Sequence, residues 1–296
     1  MFPSTCLSNC GKIRVQNFGL IHVVSVGFGL GSFQVVVNGA STPLGKAAIL
    51  AITKSRGMEL GGAVDTSFAG VDAGELAGLD EPLELPICSD LVMVLGSLSQ
   101  GSSRGVMVDF GTSSNILENV RQATAFGLRS VVAAENIDIE KVAALSTFCA
   151  KASMGCLVAP TLSIASVLLQ QAAASAAFHY RSVEIVEARQ NSSEFPSREA
   201  AMLAESISGL GQRFNTKDES IEAPARGAVV GDGVRIHSLS LPGIGARTSI
   251  HFSAPGEVLS FQHDMTDVQA CMPGLLIAIR RVLKLQSLVY GLEKVL

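Results

Sequence analysis

Acidic residues are missing from the first 58 positions, where Lys12, Arg14, Lys46, Lys54 and Arg56 carry the only charges. An acid-free, mildly basic, Ser-bearing start has the pattern of a transit segment, and a poorly ordered N-terminus fits it equally. Charge is scarce throughout, at 16% of residues against 48% hydrophobic, which excludes an intrinsically disordered chain. No segment gathers Lys or Arg and the net charge is −4, so no nucleic-acid partner is expected. Neutralising phosphates needs clustered cations. Six scattered Cys in 296 residues give no disulfide framework and read as buried thiols in a reducing compartment. Cys6 and Cys10 lack a second Cys/His pair nearby, so no metal site is expected. Two stretches carry no charge at all, residues 15–45 and 152–178. His22, Gln34 and several Gly interrupt the first; Pro160, Gln170 and Gln171 interrupt the second. A spanning helix needs about 20 mainly apolar residues, so no transmembrane span is expected and buried strand and helix are the better readings.

What remains is a chain long enough for two ordinary domains, each with its own core. Phe33 to Asn38 runs without alternation and is rich in Val, as a strand buried on both faces requires. A Gly-bearing turn leads to a helix over 45–52, then a strand over 60–64 closed by Asp65. Strand text recurs at 105–110 and 130–133, with helical text at 114–126 and 139–151. This alternation predicts a doubly wound parallel sheet. After Pro160 an Ala-rich helix at 163–178 precedes a strand at 183–187 and a helix opened by Pro196-Ser197-Arg198-Glu199. Three strand-like runs follow, at 234–239, 248–252 and 258–261. Turns at Pro242-Gly243 and Pro255-Gly256 separate them, as in an antiparallel meander. The last 22 residues, 275–296, have helical spacing and the cations Arg280, Arg281 and Lys284. They are expected to pack back onto the first domain.

The first turn carries chemistry. Strand, Gly39-x-x-Thr42-x-x-Gly45, helix, and Asp65 at the end of the second strand form a dinucleotide-binding arrangement of Rossmann type. Gly39 permits the tight turn and Gly45 lets the helix approach. Thr42 stands where a middle Gly lets backbone reach the pyrophosphate; its Cβ crowds that point, while its hydroxyl is a possible donor. Asp65 suits a ribose hydroxyl and repels a 2′-phosphate. The fold class expected is therefore α/β, an N-terminal Rossmann sheet followed by a second α+β domain. The expected division is a transit-like or poorly ordered 1–32 and a Rossmann domain over 33–159 completed by a helix at 275–296. A substrate and oligomerisation-type domain spans 160–274.

From Val35 to Leu296 the sequence resembles the dihydrodipicolinate (4-hydroxy-tetrahydrodipicolinate) reductase family of lysine biosynthesis, particularly its cyanobacterial type. The residues that carry the likeness are Val108-Asp109-Phe110, Ala159-Pro160, Phe178-His179-Tyr180, Ile236-His237-Ser238, Leu241-Pro242-Gly243, His263-Asp264, Met272-Pro273-Gly274 and the ending Leu288 to Lys294. The resemblance implies NADPH or NADH as cofactor, with Gly39, Thr42, Gly45, Asp65, Phe110 and Ala159 as its binding set. It departs at the family's signature E-x-H-H-x-x-K-x-D-A-P-S-G-T-A. Here the matching run is Glu187-Ala188-Arg189-Gln190, then Ser193, then Pro196-Ser197-Arg198-Glu199. The two His are replaced by Arg189 and Gln190, and the Lys falls at or beside Ser193. The Gly-Thr pair that cups a substrate carboxylate has become Arg198-Glu199. The family's Gly-Thr-Thr-Gly loop is replaced by Ala133-Ala134-Glu135-Asn136, and Thr161-Leu162 follow Ala159-Pro160.

Reduction needs a hydride at one atom and a proton at its neighbour, and a general acid titrating near neutrality is worth about 10²–10⁴-fold. Arg189 and Gln190 do not titrate there, and Glu199 repels a dianionic substrate. No catalytic residue is therefore expected. His179, His237, His251 and His263 remain, with His237 and His251 nearest the substrate side but expected as scaffold. The altered run, with Arg121 to Gly127 and Lys151 to Ser163, is similar to the plant chlororespiratory-reduction branch of this family, which consists of reductase-like chloroplast proteins. That likeness implies a stromal assembly factor whose partners are subunits or intermediates of the chloroplast NADH dehydrogenase-like complex, with a homo-oligomer possible. An active NAD(P)H-dependent reductase and a nucleotide-sensing module are the competing readings. Arg189, Glu194, Phe195, Arg198 and Glu199 are expected as a docking loop at the old active site.

Overall fold

The computed structural model describes residues 32–99, 105–111, 114–134, 137–190, 195–216 and 226–296. The transit-like N-terminus, Cys6, Cys10 and Glu194 thus lie outside the described residues.

The chain opens with β1 (Phe33–Asn38), α1 (Pro43–Thr53) and β2 (Met58–Val64). There follow α2 (Ala73–Ala77), α3 (Leu91–Ser99), β3 (Gly105–Asp109), α4 (Ile116–Ala125), β4 (Arg129–Val132), α5 (Ile139–Ala152) and β5 (Cys156–Val158). The strands form a parallel sheet with the expected reversal of order beside β1, so the ends of β1 and β3 open a crevice. Uninterrupted apolar strands are explained by cover on both faces. Val35 and Val37 point into the layer made by α1 with Ile49 and Ile52, while Val36 points into the layer holding Leu95, Val120 and Leu145. Asp72 shapes the segment after β2. Its carboxylate caps α2 at the Gly74 and Glu75 amides and accepts from the amides of Leu83 and Leu85.

The second half contains α6 (Ile164–Ala177), β6 (Ser182–Arg189), α7 (Arg198–Ser208), β7 (Ala228–Val230), β8 (Val234–Ser240), β9 (Ala246–Ala254) and β10 (Glu257–Met265). Ser163 and Ser197 are the N-caps of α6 and α7, accepting from Ser166 and Ala200. Pro196 therefore precedes the cap instead of sitting in the first turn. Leu169, Ala173, Leu203 and Ile207 of the two helices bury one face of the sheet, against Ile185, Ile236, Ile250 and Phe252.

Two expectations need correction. The strands after residue 227 do not form a meander: the order is β10-β9-β6-β8-β7, and β6 lies parallel to β8 and antiparallel to β9. Apolar β6, with Val183 and Ile185, takes the central place because only there are both its edges paired. Nor is 275–296 a single helix. The helix is α8 (Met272–Val282), and β11 (Leu288–Tyr290) then pairs with β5, becoming the outer strand of the six-stranded sheet. Leu288-Val289-Tyr290 suits a strand, and the free edge of β5 supplies its hydrogen bonds. Among the described residues no helix is long and apolar enough to cross a membrane.

Candidate functional site

The turn after β1 is folded by the residues the sequence singles out, and all but one of its main-chain donors have an acceptor within the protein. Gly39 has φ +82°, and a Cβ there would come within 3.1 Å of the Phe110 main chain. A Cβ on Gly45 would lie 2.2 Å from the Gly39 carbonyl oxygen, so this Gly admits the helix against the turn itself. Thr42 is the N-cap of α1: its Oγ1 donates to the Gly39 carbonyl at 2.8 Å and accepts from the Gly45 amide at 2.9 Å. The Gly39 and Ala40 amides bond the Val64 carbonyl, the Thr42 amide the Gly39 carbonyl, and the Lys46 amide the Thr42 carbonyl. The Ser41 amide donates to Asp65 Oδ2 at 2.9 Å. Pro43, at the first helical position, has no N–H. Leu44 is left as the one turn amide with no protein acceptor among the described contacts.

Asp65 closes the turn. Partial burial opposes its ionisation, but hydrogen bonds from Ser41 and Ser67 hold its carboxyl below the usual range. Phe110 is 8% exposed behind Gly39, its amide bonded to the Asn38 carbonyl at 2.9 Å. Its neighbour Asp109 is buried, which pushes the carboxyl up against donors from Asn119, Gly111 and Asn38. The structure thus gathers Gly39, Thr42, Gly45, Asp65 and Phe110 at one turn. Ala159 stands apart, at the mouth of the second feature.

That feature is a cleft of about 260 Å³ between the two sheets. Leu44, Ala133, Ala159 and Tyr290 line it from the first half, and Arg189, Arg198, Glu199, Met202, Thr248 and His263 from the second. Arg189, at the end of β6, does not project into solvent: its side chain is 22% exposed. Its Nη2 donates to Glu199 Oε2 at 2.7 Å and its Nε lies 3.5 Å from Glu187 Oε2. Glu187 is fully buried and accepts at Oε1 from the Ser197 amide at 2.8 Å and the Ser238 hydroxyl at 2.6 Å. Ser166 of α6 donates to Glu199 Oε1 at 2.6 Å. The expected docking loop is therefore divided. Phe195 is 41% exposed and Arg198 faces Glu205 at 3.7 Å, while Arg189 and Glu199 are tied into the cleft wall.

The histidines separate similarly. His237 bonds Glu184 at 2.8 Å and His251 bonds Ser260 at 2.8 Å, each on the second sheet and outside the cleft lining. His263 lines the cleft, its Nε2 3.4 Å from Ser163 Oγ. Sequence reasoning named His263 without placing it at the substrate side and gave Pro43 no role. The alternation Phe261, His263, Met265 along β10 carried the first signal, and Pro directly after a cap residue carried the second.

Comparison with known proteins now decides the family. Residues 33–162 match the model for the dihydrodipicolinate reductase N-terminus and residues 165–296 that for its C-terminus. The chain belongs to the dihydrodipicolinate reductase family. It is 56% identical over 266 residues to the dihydrodipicolinate reductase-like protein CRR1, chloroplastic, of Arabidopsis thaliana, covering 90% of this chain and 89% of that one. It is 45% identical to the 4-hydroxy-tetrahydrodipicolinate reductase of Trichormus variabilis, over 88% of this chain and 97% of that one. Among solved structures, the dipicolinate-bound dihydrodipicolinate reductase of Paenisporosarcina sp. TG-14 superposes with a TM-score of 0.76 at 26% identity. It covers 90% of this chain and all of that one.

Proposed function

We propose that this protein is a dihydrodipicolinate reductase relative without catalysis, acting in the chloroplast stroma as an assembly or accumulation factor for the NADH dehydrogenase-like complex. One observation carries the reading: the Arg189–Glu199 ion pair, backed by buried Glu187, occupies the wall where a carboxylate cup is expected. A dicarboxylate entering the cleft meets the Glu199 carboxylate and an Arg189 already engaged by it, with buried Glu187 behind, and neither Arg189 nor Gln190 supplies a proton at neutral pH. The 56% identity to a reductase-like chloroplast protein supports the chloroplast as compartment. Exposed Phe195 and Arg198 offer the partner an aromatic and a guanidinium, the groups that concentrate binding energy at interfaces. Self-association, implied by the family, belongs to the same proposal.

The residues fit half of a nicotinamide dinucleotide. Asp65 suits the adenosine ribose, but the turn's donors do not fit the pyrophosphate, since all its amides but that of Leu44 are engaged internally or, at Pro43, absent. Weak binding of NADH or NADPH at Gly39, Thr42, Gly45, Asp65, Phe110 and Ala159 is part of the proposal.

A second reading, an active reductase, is favoured by the open cleft and by His263 in its wall. Complementation separates the two. The chain is expected to restore the complex in a plant lacking its own copy and to fail in a bacterium lacking 4-hydroxy-tetrahydrodipicolinate reductase. Bacterial rescue abolished by His263→Gln establishes the second reading instead.

A further inference from the structure

We infer that the turn after β1 recognises a nucleoside and discriminates against its pyrophosphate esters. The inference rests on the nucleotide site assigned above and deepens it. Phosphate recognition at a helix start depends on main-chain N–H groups aimed at the anion. Of the eight positions from Gly39 to Lys46, six donate within the protein, Pro43 has no N–H, and Leu44 alone is left. The Thr42 hydroxyl is no substitute, because its proton goes to the Gly39 carbonyl and its oxygen receives the Gly45 amide. A pyrophosphate placed here loses water and gains one donor.

The ribose side is intact. An ionised carboxylate has about four acceptor positions, and Asp65 takes up donors from the Ser41 amide and side chain and from the Ser67 amide. Acceptor capacity for one ribose hydroxyl is left, and hydrogen bonding holds the group ionised despite its partial burial. Phe68, 41% exposed in the loop after β2 three residues beyond Asp65, is an aromatic ring on which a base can stack. A ribose acceptor beside an aromatic, without phosphate donors, describes a site for adenosine or an uncharged adenosine derivative.

Calorimetric titration of the full chain with adenosine, ADP-ribose and NADH tests this. Adenosine is expected to bind, with ADP-ribose and NADH no tighter, and Asp65→Ala to remove adenosine binding. Pro43→Ala returns one N–H while leaving the Thr42 cap in place. It is expected to tighten ADP-ribose about tenfold, the gain of a hydrogen bond to a charged group, with adenosine unchanged. That change of ratio is one a merely structural effect does not produce. The inference is overturned if the unaltered chain prefers ADP-ribose or NADH by more than about tenfold. It is equally overturned if adenosine does not bind, or if Pro43→Ala leaves the ratio alone. None of these results bears on turnover or complex accumulation, so the two readings fail separately.

Discussion

The turn after β1 and the cleft wall of the second domain engage their anion-binding groups internally, by opposite chemistry. In the first, a carboxylate and a hydroxyl consume main-chain donors: Asp65 takes the Ser41 amide and Thr42 takes the Gly45 amide. In the second, carboxylates consume a cation: Glu187 and Glu199 share Arg189. Either way, most groups suited to an anionic ligand are engaged within the chain, with the Leu44 amide and the buried Arg189 Nε left without a hydrogen-bond partner among the described residues. The turn lost its donors through local capping geometry, which any Thr-Pro at a helix start produces. The cleft needed three separate elements, β6, α6 and α7, to converge on one ion pair.

This difference sets the size of each expected effect. Arg189→Ala should be the most damaging change, costing about 3 kcal/mol in denaturant unfolding, because it leaves buried Glu187 without its cation. A loss below about 0.5 kcal/mol, the usual surface value, would place Arg189 in solvent and dissolve the contrast. Next comes Asp72→Ala, which strips the Gly74, Glu75, Leu83 and Leu85 amides of their acceptor and should cost about 2 kcal/mol. Slight burial opposes ionisation of Asp72, but those four amides hold its carboxyl below the ordinary value. Its folded pKa is thus lower than its unfolded one, so its contribution is complete above the unfolded value and is lost as pH falls through the folded one. Unfolding followed from pH 6 downward should show a flatter acid limb in the variant.

How much of this was readable beforehand depends on the range of the interaction. Gly39, Thr42, Gly45 and Asp65 lie within one strand–turn–helix–strand unit, so spacing alone placed them together. Buried strands such as Phe33–Asn38 were equally plain, since cover on both faces leaves an unbroken apolar run. The central position of β6 and the return of Leu288–Tyr290 to the sheet edge are long-range pairings. Local pattern gave a meander and a helix instead. The contact between Arg189 and Glu199 is invisible for another reason: residues ten apart on strand and helix carry no sequence sign of meeting. Read linearly, they looked like parts of one docking loop.

The smallest effect belongs to the rim. Arg247 and Asp264 pair across β9 and β10 with side chains 44% and 40% exposed. Asp264→Asn should cost less than about 1 kcal/mol, and the difference should fade as salt rises. A salt-independent loss of the size expected at Arg189 would mean that exposure does not separate these carboxylates.

The central claim, that the cleft no longer reduces a dicarboxylate, is met most directly by steady-state oxidation of NADH and NADPH with freshly generated 4-hydroxy-tetrahydrodipicolinate. The expected result is a rate indistinguishable from the protein-free control at every substrate concentration. Turnover in the ordinary enzymatic range, about 1–10³ s⁻¹, would contradict it.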